Sequence, residues 1–145
     1  MRLRTISNRK SEAMSTEVGK IGLYLVNGHA GSGLAGAPTL SFSLLVNAVT
    51  GNVTGHAQQT QAVAPPGDVI KIGNVTGHVR YTGLAPYTKI VSLQGSAVVS
   101  VPPPAIGSFL VPFTAAFSID NAWDGIGGWT LGSTTVDNVP VHADK

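Results

Sequence analysis

Cysteine is absent from the chain, which removes disulfides, thiolate nucleophiles and cysteine-held metals together and leaves the redox compartment open. Charge is scarce too: Asp, Glu, Lys and Arg supply 11% of the residues, where an ordinary globular protein carries about 25%. The surface must therefore be covered by Ser, Thr, Asn, Gln and Gly, which lose less than ions do on leaving water and lend themselves to pairing with other chains, sugars or neighbouring copies. No apolar run is long enough to cross a bilayer as a helix. The segment Ile21 to Val26 is also too short for the apolar stretch of a secretory signal. A cytoplasmic protein is the default expectation, with export by a route that reads no N-terminal signal equally compatible.

A sequence pI near 9.2 suggests a nucleic-acid partner until the charges are placed. Arg2, Arg4, Arg9 and Lys10 lie in the first thirteen residues against Glu12 alone, whereas from Met14 onward five Lys and Arg face six acids. Residues 1–13 read as a basic, flexible leader, and 14–145 as a single β domain. With no clustered cations in that body there is no footprint for phosphate contacts, so nucleic acid is not an expected partner.

What the chain has in abundance is alternation. Leu40, Phe42, Leu44 and Val46 alternate with Ser41, Ser43 and Asn47 across an intervening Leu45, and Val91, Leu93, Ala97, Val99 and Val101 alternate with Ser92, Gln94, Ser96 and Ser100, while Phe109, Val111, Phe113, Ala115, Phe117 and Ile119 form an unbroken apolar row. A period of two places each row on one face of a strand, and Pro112 inside the last row argues against a helix. Turn signals fall at Thr50–Asn52, Pro65–Asp68, Gly83–Pro86, Pro102–Gly107 and Asn121–Gly128. The expectation is an all-β antiparallel sandwich or small barrel of about seven to eight strands, with little or no helix.

One hexapeptide occurs twice: Gly51-Asn52-Val53-Thr54-Gly55-His56 returns as Gly73-Asn74-Val75-Thr76-Gly77-His78. Each copy reads as a tight Gly-Asn turn that opens a strand with Thr and His on its polar face. The runs Leu44-Leu45-Val46-Asn47-Ala48-Val49-Thr50-Gly51-Asn52-Val53-Thr54-Gly55 and Gln59-Thr60-Gln61-Ala62-Val63-Ala64-Pro65-Pro66-Gly67-Asp68-Val69 resemble a bacterial family catalogued as a domain of unknown function. That likeness covers about Gly19 to Trp129. It implies a compact β domain and brings no catalytic or binding residues with it.

Candidate chemistry is sparse. His56 and His78 could meet across neighbouring strands as metal ligands, but a site needs a third ligand, and the only other histidines are His29 and His142; solvated strand-face histidines are the plainer reading. Gly28–Gly33 imitates a phosphate loop without the helix that such a loop opens, and reads as a connection. Asp120, Asn121, Trp123 and Asp124 form the one ligand-binding candidate, in which an indole could stack on a sugar ring while Asp and Asn hold its hydroxyls. The alternative is a loop whose Trp123 caps the core, and Trp129 reads as core. No nucleophile elbow, metalloprotease motif or positioned acid–base pair is present. The expectation is therefore a non-enzymatic module, without cofactor or metal, that contacts a protein partner or its own copies, with carbohydrate binding by the 120–128 loop as the alternative.

Overall fold

The alternation resolves into eight strands in the computed structural model, which describes residues 22–61, 68–100 and 104–144. They are β1 (Leu23–Ala30), β2 (Thr39–Asn47), β3 (Asn52–Gln61), β4 (Asp68–Tyr81), β5 (Lys89–Ser100), β6 (Ser108–Ile119), β7 (Gly125–Leu131) and β8 (Thr134–Ala143). Each pairs antiparallel with its neighbours in sequence, and β1 pairs with β8 to close a barrel. Of the two architectures left open by the sequence, the barrel is the one present. No helix occurs among the described residues, nor one long and apolar enough to cross a membrane. The expected basic leader, residues 1–13, lies outside the described residues, as does most of the Pro65–Asp68 turn.

Eight strands leave an interior just wide enough for side chains to fill, and the inward rows fill it. Phe42, Leu44, Ile72, Val75, Val91, Phe113, Phe117, Ile119, Trp129 and Val141 are buried there, and the Phe42 and Phe117 rings sit 5.4 Å apart. The outward rows carry Thr54, Gln58, Thr76, Ser92, Gln94 and Thr114, interspersed with the exposed apolar residues Leu25, Val98, Leu110 and Ile126.

Small inward residues let the wall curl around large rings. Gly28 and Gly127 leave no room for a Cβ, because the backbone oxygens of His142 and Ala116 and the Phe42 and Phe117 rings lie against them. Register shifts at Gly55/Ala57, Gly73/Thr76 and Gly127/Trp129 sharpen the bend where the sheet must turn.

The hexapeptide copies pair with each other. Asn52 faces His78, Val53 faces Gly77, Thr54 faces Thr76 and Gly55 faces Val75, so Thr54 opposes its own repeat equivalent and the two copies run head to tail about that point. The shared turn expected at both copies is found at one. Gly51, at φ +83°, follows the turn in which Asn47 Oδ1 accepts from the amides of Val49 and Thr50. Gly73-Asn74 instead lies inside β4 as a bulge, with Asn74 at φ 50°. The preceding strand decides the difference: Ile70 and Ile72 already point inward, so the chain bulges and continues. Two other boundaries also move. Gly28 to Ala30 belong to β1, and the turn expected through Gly128 ends at Asp124, with the glycines that follow in β7.

Candidate functional site

The β6–β7 turn is built around one carboxylate. Asp120 Oδ1 accepts from the amides of Ala122 and Asp124, at 2.9 and 3.0 Å, while Asp120 N donates to Asp124 O. This closes a loop so tight that Trp123 is held at φ 65°, a conformation that bulky residues rarely adopt. Asn121 Oδ1 accepts from Thr88 Oγ1 of the neighbouring β4–β5 turn.

The left-handed twist sends the Trp123 indole inward and the Asp124 carboxylate outward. Trp123 is 3% exposed. Its Nε1 donates to Tyr24 Oη at 3.3 Å, its ring meets the Tyr24 ring edge-on, and Phe42 lies beneath it. The indole closes the end of the barrel, so the ring face that a sugar would stack on is turned toward Phe42 and Tyr24. The four residues singled out from sequence thus share one turn but divide their work: Asp120 and Asn121 pin the loop, Trp123 seals the core and Asp124 faces the outer wall.

Beside Trp123 lies a residue that sequence reading missed. Lys89 opens β5 on the inward face and is 8% exposed, with its Nζ 5.8 Å from the Tyr24 ring centroid and 5.7 Å from that of Tyr81. Two ring faces hold an ammonium through their quadrupoles, yet burial pushes the Lys89 pKa below its ordinary value, with the Asp120 carboxylate offsetting part of that fall. Burial also pushes the Tyr24 hydroxyl up, against the lowering effect of its hydrogen bond from Trp123.

Both shifts have a consequence for stability. Between the lowered Lys89 value and its ordinary 10.5 the unfolded chain binds more protons than the fold does, so this lysine makes stability rise with pH. Above 10.0 the fold keeps a Tyr24 proton that the unfolded chain releases, so the tyrosine makes stability fall. In urea titrations carried from pH 7 up to 10.5, the wild type is expected to gain stability relative to Lys89→Met, a comparison in which the Tyr24 contribution is common to both proteins; a constant difference over the whole range would contradict the burial assignment.

On the outer wall, Asp124 reaches β8. Its Oδ1 lies 3.3 Å from His142 Nδ1 and 3.4 Å from the amide of Ala143. His142 sits directly opposite His29 across the β1–β8 seam, with ring centroids 6.0 Å apart, and His29 Nδ1 in turn lies 2.9 Å from Asp144 Oδ1. All four side chains are partly exposed. His56 and His78, by contrast, do not face each other: His56 opposes Ser43, while His78 opposes Asn52 and Ser92. Four positions along the ladder hold them roughly 13 Å apart at about 3.3 Å per residue. Among the described residues no group of three His, Cys, Asp or Glu side chains is placed to hold a metal ion.

A local signal for the outward histidines exists. Val26-Asn27-Gly28-His29-Ala30 follows the pattern of Val53-Thr54-Gly55-His56-Ala57 and Val75-Thr76-Gly77-His78-Val79. In all three an inward glycine lets the next strand approach and the following histidine points out beside a serine, namely Ser41, Ser43 and Ser92.

Residues 21–134 match the family described as Domain of unknown function (DUF1842), which takes in β1 to β7 and the first residue of β8. The chain belongs to this family. No curated protein matches it. Within the DUF1842 barrel the matched stretch contains His29, Lys89, Asp120, Trp123 and Asp124, while His142 and Asp144 lie beyond it. Shallow grooves of about 200 to 350 Å³ run over the outer wall, and each is lined by a single titratable side chain, Asp137 on the β6–β8 side or His78 on β4–β5.

Proposed function

We propose that the DUF1842 barrel is a non-enzymatic contact module that pairs with a second copy of itself through the outer face of the β5–β6 hairpin. One observation carries this reading. Val98 and Leu110 oppose each other across the two strands and are 66% and 69% exposed, and Ile106 in the connection is 97% exposed. The flanking outward pairs are Ser96 with Pro112 and Ser100 with Ser108.

A face of this kind contains apolar groups that gain about 25 cal/mol for each Å² removed from water, with the exposed Lys71 of β4 at its edge, one register step from the Ile72–Ala97 pair. The apolar centre of this face is its own complement, which suits a two-fold contact between identical copies that leaves Lys71 at the rim. Closure supports the same route from another side. The strands of a barrel are paired round its wall, so side chains rather than strand addition are what such a wall has to offer. A sugar reading of the Asp120–Asp124 turn would have to do without Trp123 as its stacking platform.

Light scattering on the eluting protein tests the proposal. The wild type is expected to shift from monomer toward dimer mass as its concentration rises to several hundred micromolar. Val98→Glu/Leu110→Glu is expected to remain monomeric with an unchanged circular dichroism spectrum, because both side chains already face water. A wild type that stays monomeric throughout, or a double variant that dimerises equally well, would remove the proposal.

A further inference from the structure

The structure brings together two histidines that sequence spacing separates completely, and it orients both in the same way. His29 on β1 and His142 on β8 are direct cross-strand partners. Each ring has its Nδ1 against a carboxylate, Asp144 for His29 and Asp124 for His142. A histidine that donates its Nδ1–H to a carboxylate presents the Nε2 lone pair, and this carboxylate–histidine arrangement is the one that supports metal-ligating imidazoles, since the carboxylate fixes the tautomer and raises the basicity of the free nitrogen.

From this geometry we infer that His29 and His142 form a two-histidine site for a borderline divalent transition ion such as Zn²⁺, completed by water. Tetrahedral binding by both Nε2 atoms at about 2.0–2.1 Å would place the two ring centroids about 5.2 Å apart; the observed separation is 6.0 Å with the rings inclined at 54°, so side-chain rotation has less than about 1 Å to close on binding. Imidazole suits zinc, copper and nickel better than it suits calcium or magnesium, which take oxygen ligands.

Two protein ligands make an open, labile site, consistent with the lack of a three-ligand group among the described residues. Asp124 and Asp144 act as positioning residues rather than ligands. Among the described residues the site also lies where the barrel is least firmly closed, because β1 and β8 share three residue pairs there while β5 and β6 share twelve. An ion held by one histidine from each strand staples this seam, and it binds the folded barrel in preference to the unfolded chain, in which the two ligands are far apart.

The test is a titration of the full chain with zinc chloride, read by calorimetry and by the thermal midpoint. Binding of one ion per chain is expected, with the midpoint rising by roughly 5–10 °C at a hundredfold excess of zinc over its Kd. His29→Ala and His142→Ala are each expected to weaken binding at least tenfold and to cancel the rise in midpoint. His56→Ala/His78→Ala should change neither quantity. Asp124→Asn and Asp144→Asn are expected to leave the stoichiometry at one while lowering affinity severalfold, as positioning residues do. All of these side chains are exposed or partly exposed, so the variants are expected to fold. Absence of binding at millimolar zinc, binding that survives loss of either seam histidine, or binding that disappears with His56 and His78 would each overturn the site.

Discussion

Replacing Trp129 by Ala is expected to lower the stability of the barrel by about 4 kcal/mol and its melting midpoint by roughly 10–20 °C. The residue is the largest fully buried side chain in the core, and a cavity of that size cannot be filled by neighbours fixed in a closed wall. Its polar atom adds a second cost: Nε1 donates to Gln59 Oε1 at 2.7 Å in the barrel interior, and Gln59 is itself buried.

The two costs separate in a double-mutant cycle. Trp129→Phe retains most of the ring volume but leaves the Gln59 carbonyl buried without its donor, which costs about 1–3 kcal/mol. Gln59→Met, similar in shape and apolar, removes the orphaned acceptor. The double variant Trp129→Phe/Gln59→Met is therefore expected to be more stable than Trp129→Phe alone. Urea unfolding of the four proteins checks this; losses that simply add would show that the hydrogen bond contributes nothing beyond packing.

The pattern of success in the sequence reading follows from the range of each interaction. Alternation is a local property, so the strands around Phe42, Val91 and Phe113 were legible, as was the burial of Trp129. The choice of barrel over sandwich was not, because closure depends on whether β1 reaches β8, and that is set by curvature accumulated over inward glycines and bulges. The hexapeptide shows the same limit at smaller scale. Identical residues make a turn at Gly51 and a bulge at Gly73 because one follows a turn pinned by Asn47 and the other follows strand residues already committed to the core.

At the candidate site, the turn beginning at Asn121 and the place of Trp123 as a cap on the core were open to sequence reading, whereas Asp120, read as a sugar ligand, proves to be the carboxylate that accepts the loop amides. The partnership of His29 with His142 was not recognisable, because it joins the first strand to the last. Lys89 was missed for a related reason. Its place in the inward row was visible in the alternation of β5, but a lysine in such a row is ordinarily assigned to solvent, and the Tyr24 and Tyr81 rings that receive it arrive from β1 and β4.

Gly55→Ala and Gly77→Ala are each expected to destabilise the barrel by about 3 kcal/mol or more, although the change adds a single methyl group. An added Cβ would lie less than 3.0 Å from the carbonyl oxygen of Ser43 in the first case and from that of Ser92 in the second. These are backbone atoms of the paired strands β2 and β5, so relief means displacing a ladder rather than turning a side chain. Overpacking of this kind sits at the upper end of its usual cost of about 1–3 kcal/mol.

Gly73 supplies the internal control, since the space around an added Cβ there is open and the residue is not held at positive φ. Gly73→Ala is expected to fall within about 1 kcal/mol of the wild type. Because Gly55 and Gly77 occupy equivalent places in the two hexapeptide copies, their losses should also be similar in size. A loss at Gly73→Ala equal to the other two would contradict this assignment, because backbone entropy by itself makes Gly→Ala stabilising and only the close approach of the strands sets Gly55 and Gly77 apart from Gly73. A large loss confined to Gly55 and Gly77 would locate the constraint where the sheet is pinched to close around its core.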